Sequence, residues 1–289
     1  MTEPAARPDG PQRVAVIGGG TMGIGIAYVS ATADLQTWVV ESSEKRRAEL
    51  AVGLQRALDI GRERGRLTED QGAVATKNLS IVTGVDDLPL GLDVIVESVP
   101  ERAGLKRSVL AAALTREPVV LATNTSSLSV DDLAADLSDP TRVLGLHFFN
   151  PVWSIGLVEV VRGARTDGAV LELALDYVAA IHKEAAVVTD TPGFATSRLD
   201  LVASLEAMRM LEQGVGAAAD IDRAVQLAYR HPVGPLRLSD IVGLDVRLDI
   251  ARQLEKSLGD RFSPPQVLVD LVAQGHLGRK SGQGFYKWE

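Results

Sequence analysis

Short apolar runs rich in Val and Ile recur along the first two thirds of the chain, and helical stretches separate them. Continuous apolar strands that alternate with helices are typical of a mostly parallel β-sheet with helices on both faces. We predict seven strands, at Arg13–Ile17, Thr37–Glu41, Asp93–Glu97, Pro118–Thr123, Val143–Phe149, Leu157–Val161 and Ala186–Thr189. The helices between them are predicted at Gly23–Thr32, Glu44–Glu63, Leu105–Thr115 and Ala169–Ile181.

The pattern changes after Asp190, where Thr191-Pro192-Gly193 is a strong breaker signal. No strand is predicted beyond it, and helices are predicted at Ala195–Gln213, Ala217–Ala228, Ser239–Leu258 and Pro264–Gln274. We therefore expect three parts: a flexible tail over residues 1–12, an α/β domain over 13–190 and an all-helical domain over 191–289.

Composition excludes several classes of site. The chain has no cysteine, which excludes disulfides, thiolate–metal sites and a cysteine nucleophile. The chain has a net charge of −8 and only 4% aromatic residues, so it lacks the basic surface and the stacking platforms that nucleic-acid binding requires. No apolar run approaches the roughly 20 residues of a membrane helix. The N-terminus lacks the basic-then-apolar order of a signal peptide, so a cytoplasmic protein is expected.

A glycine-rich turn joins the first predicted strand to the first predicted helix. Val14-Ala15-Val16-Ile17 leads directly into Gly18-Gly19-Gly20-Thr21-Met22-Gly23, which has the form G-x-G-x-x-G. In this context Gly18 allows the tight turn, Gly20 lets a pyrophosphate approach the backbone, and Gly23 lets helix and strand pack closely. The motif predicts a dinucleotide site; the alternative is a glycine turn that binds no ligand.

The second strand ends in an acidic residue, Glu41, at the position where a carboxylate hydrogen-bonds the adenosine ribose and repels a 2′-phosphate. This favours NAD over NADP. Ser42, Ser43, Lys45 and Arg46 follow and keep NADP open, because such residues can hold a 2′-phosphate.

Two carboxylates interrupt apolar strands. Glu97 follows Val94-Ile95-Val96, and Glu159 lies within Leu157–Val161. A buried carboxylate is costly without a partner, and such groups tend to mark functional sites. For each, the alternative is a side chain that faces solvent at a strand end.

His147 is the partner available to Glu159. It precedes Phe148-Phe149-Asn150-Pro151, where an apolar strand ends in a polar turn, and lies 12 residues before Glu159 on the preceding strand. A His held by a Glu is a common general acid–base arrangement, suited to proton transfer during alcohol oxidation. The alternative is a structural histidine.

A polar segment, Asn124-Thr125-Ser126-Ser127, follows the strand that ends near Thr123. At the carboxyl end of a parallel strand this segment should line the ligand crevice. It is equally suited to cap a helix that begins near Leu128, and both roles are compatible.

These motifs together resemble the 3-hydroxyacyl-CoA dehydrogenase family, the NAD-linked enzymes of β-oxidation and related fatty acid metabolism. The resemblance covers the chain after the tail, and its motifs are the glycine turn, Glu97-Ser98-Val99-Pro100-Glu101, Asn124–Leu128, His147–Pro151, Leu157–Val160, Asp190–Phe194, Asp220–Asp222, Pro232–Pro235, Gly243–Asp245 and Leu277–Tyr286. It implies a Rossmann-type domain followed by an all-helical C-terminal domain that forms a homodimer.

The resemblance also implies site roles. His147 would be the catalytic acid–base and Glu159 its orienting partner, while Ser126 and Asn150 would contact the substrate. The cofactor site would contain the glycine turn with its Thr21 and Met22. It would also contain Glu101, Lys106, Asn150 and Lys280. The substrate would be an acyl-CoA or an acyl group on a carrier protein. The resemblance implies no metal ion in the site. Arg62, Arg64 and Arg66 are the best candidates for the CoA phosphates, or else form a solvated helix end.

The chain departs from the family at three places. Ser197 stands where the family usually has a catalytic Asn, Gly156 replaces a common Lys, and Trp153 replaces a Pro. The leading hypothesis is an NAD-dependent (S)-3-hydroxyacyl-CoA dehydrogenase. The alternatives are a related dehydrogenase of a specialised carrier-bound or CoA-free hydroxy acid, and a weakly catalytic NAD-binding protein.

Overall fold

The computed structural model describes residues 10–289, and the chain divides into two compact units between Thr191 and Pro192. The tail predicted over residues 1–12 lies outside the described residues up to position 9. The backbone N–H groups of Gln12 and Arg13 both donate to Oδ2 of Asp93 at 2.8 Å, so the chain is already anchored at the start of its first strand.

The described part of the first unit contains eight strands and six α-helices. In chain order these are β1 (Arg13–Ile17), α1 (Thr21–Thr32), β2 (Gln36–Val40), α2 (Glu44–Glu63), α3 (Glu69–Asn78), β3 (Leu79–Val82), β4 (Val94–Glu97), α4 (Ala103–Leu114), β5 (Val120–Thr123), α5 (Val130–Ala134), β6 (Val143–Phe148), β7 (Leu157–Arg162), α6 (Gly168–Ala180) and β8 (Glu184–Thr189). The predicted fold class, a mostly parallel sheet with helices, is confirmed.

The eight strands form one sheet in the order β3-β2-β1-β4-β5-β6-β7-β8. The chain leaves β1 towards β2 on one side and returns to β4 on the other, so the strand order reverses beside β1. Ligands of open α/β sheets bind at such a reversal, outside the carboxyl ends of the strands. Every described pairing is parallel except that of β6 with β7.

Burial explains why these strands form the centre of the unit. All residues of β4, β5 and β6 are buried, as are four of the five residues of β1. Helix α1 is also buried along most of its length and packs with the same apolar core, which includes Ile26, Leu54, Val96 and Tyr177. This core fixes the positions of the strand ends at which the site is built.

Two elements of the first unit, β3 and α3, were not predicted, whereas a helix was expected near Leu128, close to where α5 begins. Strand β3 is short and only half-buried, so it lacks the continuous apolar run of the central strands. Helix α3 carries a capping box, in which the Thr68 hydroxyl accepts from the Gln71 N–H and the Gln71 side chain accepts from the Thr68 N–H. Helix α5 spans five residues and begins at the Ser129 cap.

The described residues of the second unit form five α-helices: α7 (Thr196–Glu212), α8 (Ala218–Tyr229), α9 (Pro235–Val242), α10 (Leu244–Leu258) and α11 (Gln266–Ala273). The single helix predicted over Ser239–Leu258 is wrong. Gly243 adopts φ +110°, which breaks the helical path and separates α9 from α10. Their apolar faces share a core that includes Leu205, Met208, Leu248 and Leu254.

Two buried aspartates organise the end of the second unit. Asp222 accepts from the N–H groups of Leu236 and Arg237 in the first turn of α9 and from the Tyr286 hydroxyl. Asp240 accepts from the Phe285 and Tyr286 N–H groups and from the Trp288 indole. The chain's last residues are thereby fixed to α8 and α9.

Within residues 10–289, every helix is too short or too polar to span a membrane.

Candidate active site

The glycine turn packs too tightly for side chains at two of its three motif positions. A Cβ atom on Gly18, which has φ +116°, would lie 2.7 Å from the carbonyl oxygen of Ser98, and a Cβ on Gly23 would lie 1.8 Å from the carbonyl oxygen of Gly18. A Cβ on Gly20 would instead meet nothing within 4 Å. Gly18 and Gly23 therefore hold the turn close to the end of β4 and to α1. Gly20 leaves open space above the backbone.

The turn lines a crevice of about 630 Å³ at the reversal of strand order. Gly20 is the N-cap residue of α1 and provides no side-chain cap, so first-turn N–H groups remain available to an anion, and Thr21 and Met22 lie on the wall. The lining residues are 17–22, 40–42, 46, 83–85, 98–100, 102, 105 and 109. An open backbone cradle beside a helix N-terminus fits a dinucleotide pyrophosphate.

Glu41 follows β2 directly and lies in the crevice wall, with 8% of its surface exposed. Its two carboxylate oxygens accept from the N–H groups of Gly19 at 3.3 Å and Ser43 at 3.0 Å. These bonds hold the carboxylate beside the glycine turn. The exposed side chains of Arg46 and Arg102 line the same crevice, so the described wall carries one acid and two arginines.

Glu97 is fully buried at the end of β4, so it does not face solvent. The ammonium of Lys106 donates to both of its carboxylate oxygens, at 2.9 and 3.1 Å, and the Thr123 hydroxyl donates at 2.7 Å. Lys106 also lies 3.2 Å from Glu101. The resemblance placed Lys106 in the cofactor site, but its side chain has no exposed surface in this structure. Its ammonium holds two carboxylates instead.

Glu101 fixes the polar segment after β5. One of its oxygens accepts from the Thr125 hydroxyl at 2.5 Å and from the backbone N–H groups of Ser126 and Ser127 at 3.0 and 3.3 Å. Burial alone would raise the pKa of Glu101, but the Thr125 hydroxyl, the Lys106 charge and the Ser126 N–H outweigh it and lower the pKa. Ser126 itself is exposed, as a substrate contact requires.

His147 and Glu159 are direct partners across the antiparallel β6–β7 pair. Nδ1 of His147 lies 2.8 Å from Oε2 of Glu159. Glu159 is fully buried and His147 is 7% exposed, so the pair sits at the edge of the protein interior with a small accessible face. The ring of Phe149 lies 4.3 Å from the imidazole, centroid to centroid. The two side chains are thus in contact, and their catalytic role stays a prediction.

Asn150 is exposed in the turn that follows β6, and a cis peptide bond joins it to Pro151. The side chain of Asn124 accepts from the Phe148 N–H at 2.9 Å, and the backbone N–H of Asn124 donates to the Glu97 carbonyl at 2.8 Å. The ends of β4, β5 and β6 are therefore tied together. This connection brings the Glu97–Glu101 segment, the Ser126 turn and His147 to one edge of the sheet.

Two predicted site residues belong to the second unit. Ser197 lies partly buried in the first turn of α7. Lys280 is half-exposed, and its ammonium lies 2.6 Å from the Asp245 carboxylate. That contact lowers the pKa of Asp245.

The sequence analysis missed part of the crevice. Thr83, Gly84 and Val85 line it because they follow β3, which was not predicted. The available signal was the Leu79-Ser80-Ile81-Val82 run followed by a Thr-Gly turn. Thr125 was predicted to line the crevice and Thr123 only to end a strand, and neither was predicted to be the partner of a carboxylate. No local pattern links them to Glu97 and Glu101.

The parallel sheet, the glycine cradle and the acid after β2 define a dinucleotide-binding domain of the Rossmann type. Residues 13–191 match the family described as "3-hydroxyacyl-CoA dehydrogenase, NAD binding domain", and residues 193–288 match its C-terminal domain. The chain belongs to the 3-hydroxyacyl-CoA dehydrogenase family. It is an NAD-dependent 3-hydroxyacyl-CoA dehydrogenase, and the predictions of family, enzyme class and cofactor are confirmed.

Individual relatives match over nearly the whole chain. The chain is 38% identical to a 3-hydroxybutyryl-CoA dehydrogenase of Mycobacterium tuberculosis (strain CDC 1551 / Oshkosh), over 97% of this chain and 99% of that protein. It is 37% identical to a 3-hydroxyadipyl-CoA dehydrogenase of Escherichia coli, over 96% of this chain and 59% of that protein. The crystal structure of (S)-3-hydroxybutyryl-CoA dehydrogenase PaaH1 from Ralstonia eutropha superposes with a TM-score of 0.92 at 33% identity, covering 96% and 99% of the two chains.

Proposed function

We propose that the chain interconverts a short (S)-3-hydroxyacyl-CoA and its 3-ketoacyl-CoA, with His147 as the acid–base and Glu159 as its orienting partner. The observation that carries this proposal is the direct cross-strand contact of the two side chains at 2.8 Å, with Glu159 fully buried. The relatives named 3-hydroxybutyryl-CoA dehydrogenase support a short acyl group.

The residues of the crevice fit the cofactor. Gly20, Thr21 and Met22 would hold the pyrophosphate at the start of α1, and Gly18 and Gly23 would keep the turn in the shape that this requires. Glu41 would accept hydrogen bonds from the adenosine ribose, and its charge would repel a 2′-phosphate. When bound, the nicotinamide ring accepts or supplies a hydride. The family resemblance implies that Glu101 and Lys280 would contribute to the cofactor site and that Asn150 would contact the substrate near the nicotinamide.

Proton transfer follows from the tautomer that Glu159 selects. In neutral His147 the Nδ1–H donates to the carboxylate, so Nε2 is the basic nitrogen. In the oxidative direction Nε2 takes the proton of the substrate 3-hydroxyl as the hydride leaves C3. The charge of Glu159 stabilises the resulting imidazolium. In the reductive direction the imidazolium returns the proton to the 3-keto oxygen, while Ser126 and Ser197 would hydrogen-bond that oxygen.

The test is NADH oxidation with acetoacetyl-CoA, run beside NADPH and a longer 3-ketoacyl-CoA. We expect NADH-dependent turnover that His147→Gln lowers by about 10²- to 10⁴-fold, the usual contribution of a general acid–base. NADH binding, followed by fluorescence, should be unchanged in that variant. His231→Gln is the matched control, because His231 is exposed in the second unit.

Retained turnover in the His147 variant would overturn its assigned role. Absence of turnover in the wild type, with NADH still bound, would favour the carrier-bound or CoA-free hydroxy acid, or the weakly catalytic alternative. A homodimer and a place in β-oxidation stay predictions from the resemblance, and a cytoplasmic location stays a prediction from the sequence.

A further inference from the structure

The eight-residue loop that joins β6 to β7, residues 149–156, carries Asn150 and connects the strands of His147 and Glu159. Its internal hydrogen bonds are few. The N–H groups of Ser154 and Ile155 both donate to the Pro151 carbonyl, at 3.0 and 3.2 Å. The loop is therefore held in place mainly by residues outside it.

Lys183 supplies the main polar anchor. Its ammonium donates to the carbonyl oxygens of Val152 and Ile155, each at 2.6 Å, so one charged group bridges two points of the loop. The next backbone N–H, that of Glu184, donates to the Gly156 carbonyl at 2.7 Å. Burial lowers the pKa of Lys183. Charged donors make stronger hydrogen bonds than neutral ones, so this bridge is a strong local restraint.

The end of helix α6 fixes the position of Lys183. His182 adopts the left-handed conformation, with φ +57°, and its N–H donates to the Ala179 carbonyl. The N–H of Lys183 donates to the Val178 carbonyl. These two bonds form the Schellman arrangement that terminates helices. The lysine therefore leaves a defined helix end rather than a mobile loop.

The opposite side of the loop packs on α1, the helix that begins at the glycine turn. Val152 is 1% exposed, and its Cγ2 lies only 2.6 Å from where a Cβ on Gly25 would stand. The ring of Trp153 meets that of Tyr28 edge to face, with centroids 6.0 Å apart. The loop is thus clamped between an apolar contact on α1 and the ammonium of Lys183.

We propose that Lys183 is a positioning residue for the oxidoreduction: by bridging two carbonyls of loop 149–156, it fixes the position of Asn150 relative to the His147–Glu159 pair. The proposal rests on the proposed function, because Asn150 has to act on the bound substrate. Without the ammonium, the Val152 and Ile155 carbonyls lose their shared donor. The loop can then sample other conformations, and a small displacement of a positioning group costs a large share of the rate.

The functional test is a double-mutant cycle with Lys183→Met and Asn150→Ala. We expect Lys183→Met to lower kcat/KM for acetoacetyl-CoA by about tenfold to 100-fold and to leave the NADH dissociation constant unchanged. In the Asn150→Ala background the same substitution should cost less than about twofold, because residues that act through each other are not additive. Lys183→Arg keeps the positive charge and offers several N–H donors to the two carbonyls, so it should restore most of the activity.

Lys77→Met is the matched control, since Lys77 is an exposed lysine in the last turn of α3. It should leave kcat/KM unchanged. A Lys183→Met variant with kcat/KM within about twofold of the wild type would overturn the proposal. So would equal losses from Lys183→Met in the wild-type and Asn150→Ala backgrounds, because they would show that Lys183 does not act through Asn150.

A second measurement does not depend on the proposed function. Amide hydrogen exchange over peptides that cover residues 149–157 should accelerate in Lys183→Met and not in Lys183→Arg, while peptides of α1 stay protected. Unchanged exchange would overturn the anchoring role even if activity fell. If no thioester is turned over, the proposed function fails, and accelerated exchange would still show that Lys183 anchors the loop.

Discussion

Lys106 is the residue at which the structure predicts a large loss of stability from the removal of a single charge. It lies in α4 with no exposed surface, and its ammonium contacts both oxygens of Glu97 and one of Glu101. Lys106→Met keeps the length and apolar stem of the side chain but removes the charge. The buried carboxylate of Glu97 then keeps only the Val99 N–H and the Thr123 hydroxyl.

The size of the effect follows from the burial of each partner. Removing one member of a fully buried ion pair costs about 3–5 kcal/mol, because the other charge stays buried and uncompensated. The Glu101 carboxylate is 35% exposed, so water can replace most of what it loses, and we assign it no further cost. For a unit of this size each kcal/mol lowers Tm by about 2–4 °C. The variant should therefore unfold roughly 6–20 °C below the wild type.

The assay is urea and thermal unfolding without NADH, followed by circular dichroism. Arg107→Met is the matched control, because Arg107 is the next residue of α4 and is exposed, so its loss should fall within about 0.5 kcal/mol. The double variant Glu97→Met/Lys106→Met should be more stable than Lys106→Met alone, since it buries no charge. A single variant within about 1 kcal/mol of the wild type, or a double variant no better than the single, would refute this account.

Three further predictions concern the site. Ser197→Asn should raise kcat for acetoacetyl-CoA, because the longer amide extends the reach of the hydrogen bond; an unchanged or lower rate in the same NADH assay would indicate adaptation to another acyl group. The lowered pKa of Glu101 stabilises the folded state at pH values above 4.5, the ordinary pKa of the group, and this stability is lost as the pH falls through the pKa of the folded state. Tm should therefore drop more steeply below pH 4.5 in the wild type than in Glu101→Gln. Parallel Tm profiles would contradict this. Arg64 and Arg66 line a small opening with Tyr28 and Trp153. The double variant Arg64→Gln/Arg66→Gln should raise KM about tenfold for acetoacetyl-CoA but not for the N-acetylcysteamine thioester of the same acyl group. Equal changes for both thioesters would show that the two arginines do not bind the CoA phosphates.

The parts that the sequence predicted well depend on neighbours along the chain. The glycine turn, Glu41 and the His147–Glu159 contact follow from strand ends that are continuous apolar runs. Strand β3 was missed because it lies at the edge of the sheet and is only half-buried, so its pattern is weak. The break at Gly243 was missed because a glycine in an otherwise helical pattern is compatible with either continuation or interruption.

The partners of two lysines were not predicted. Lys106 shares the buried face of α4 with Leu110 and Ala113, at helical spacing, and that pattern could have shown that it is enclosed. Its pairing with Glu97 could then have been expected. The bridge from Lys183 to Val152 and Ile155 carries no such signal, because backbone carbonyls accept hydrogen bonds whatever their side chains. Only the three-dimensional arrangement shows it.

The antiparallel pairing of β6 with β7 has a consequence for how such enzymes can diverge. His147 and Glu159 face each other through the register of the two strands, which the backbone ladder sets, and not through the composition of the eight residues between them. Side-chain replacements within residues 149–156 that keep Asn150 and the length of the loop can therefore leave the His147–Glu159 contact unchanged. The strand ladder thus protects the contact against substitutions that leave the length of the loop and its anchors to Lys183 and α1 in place.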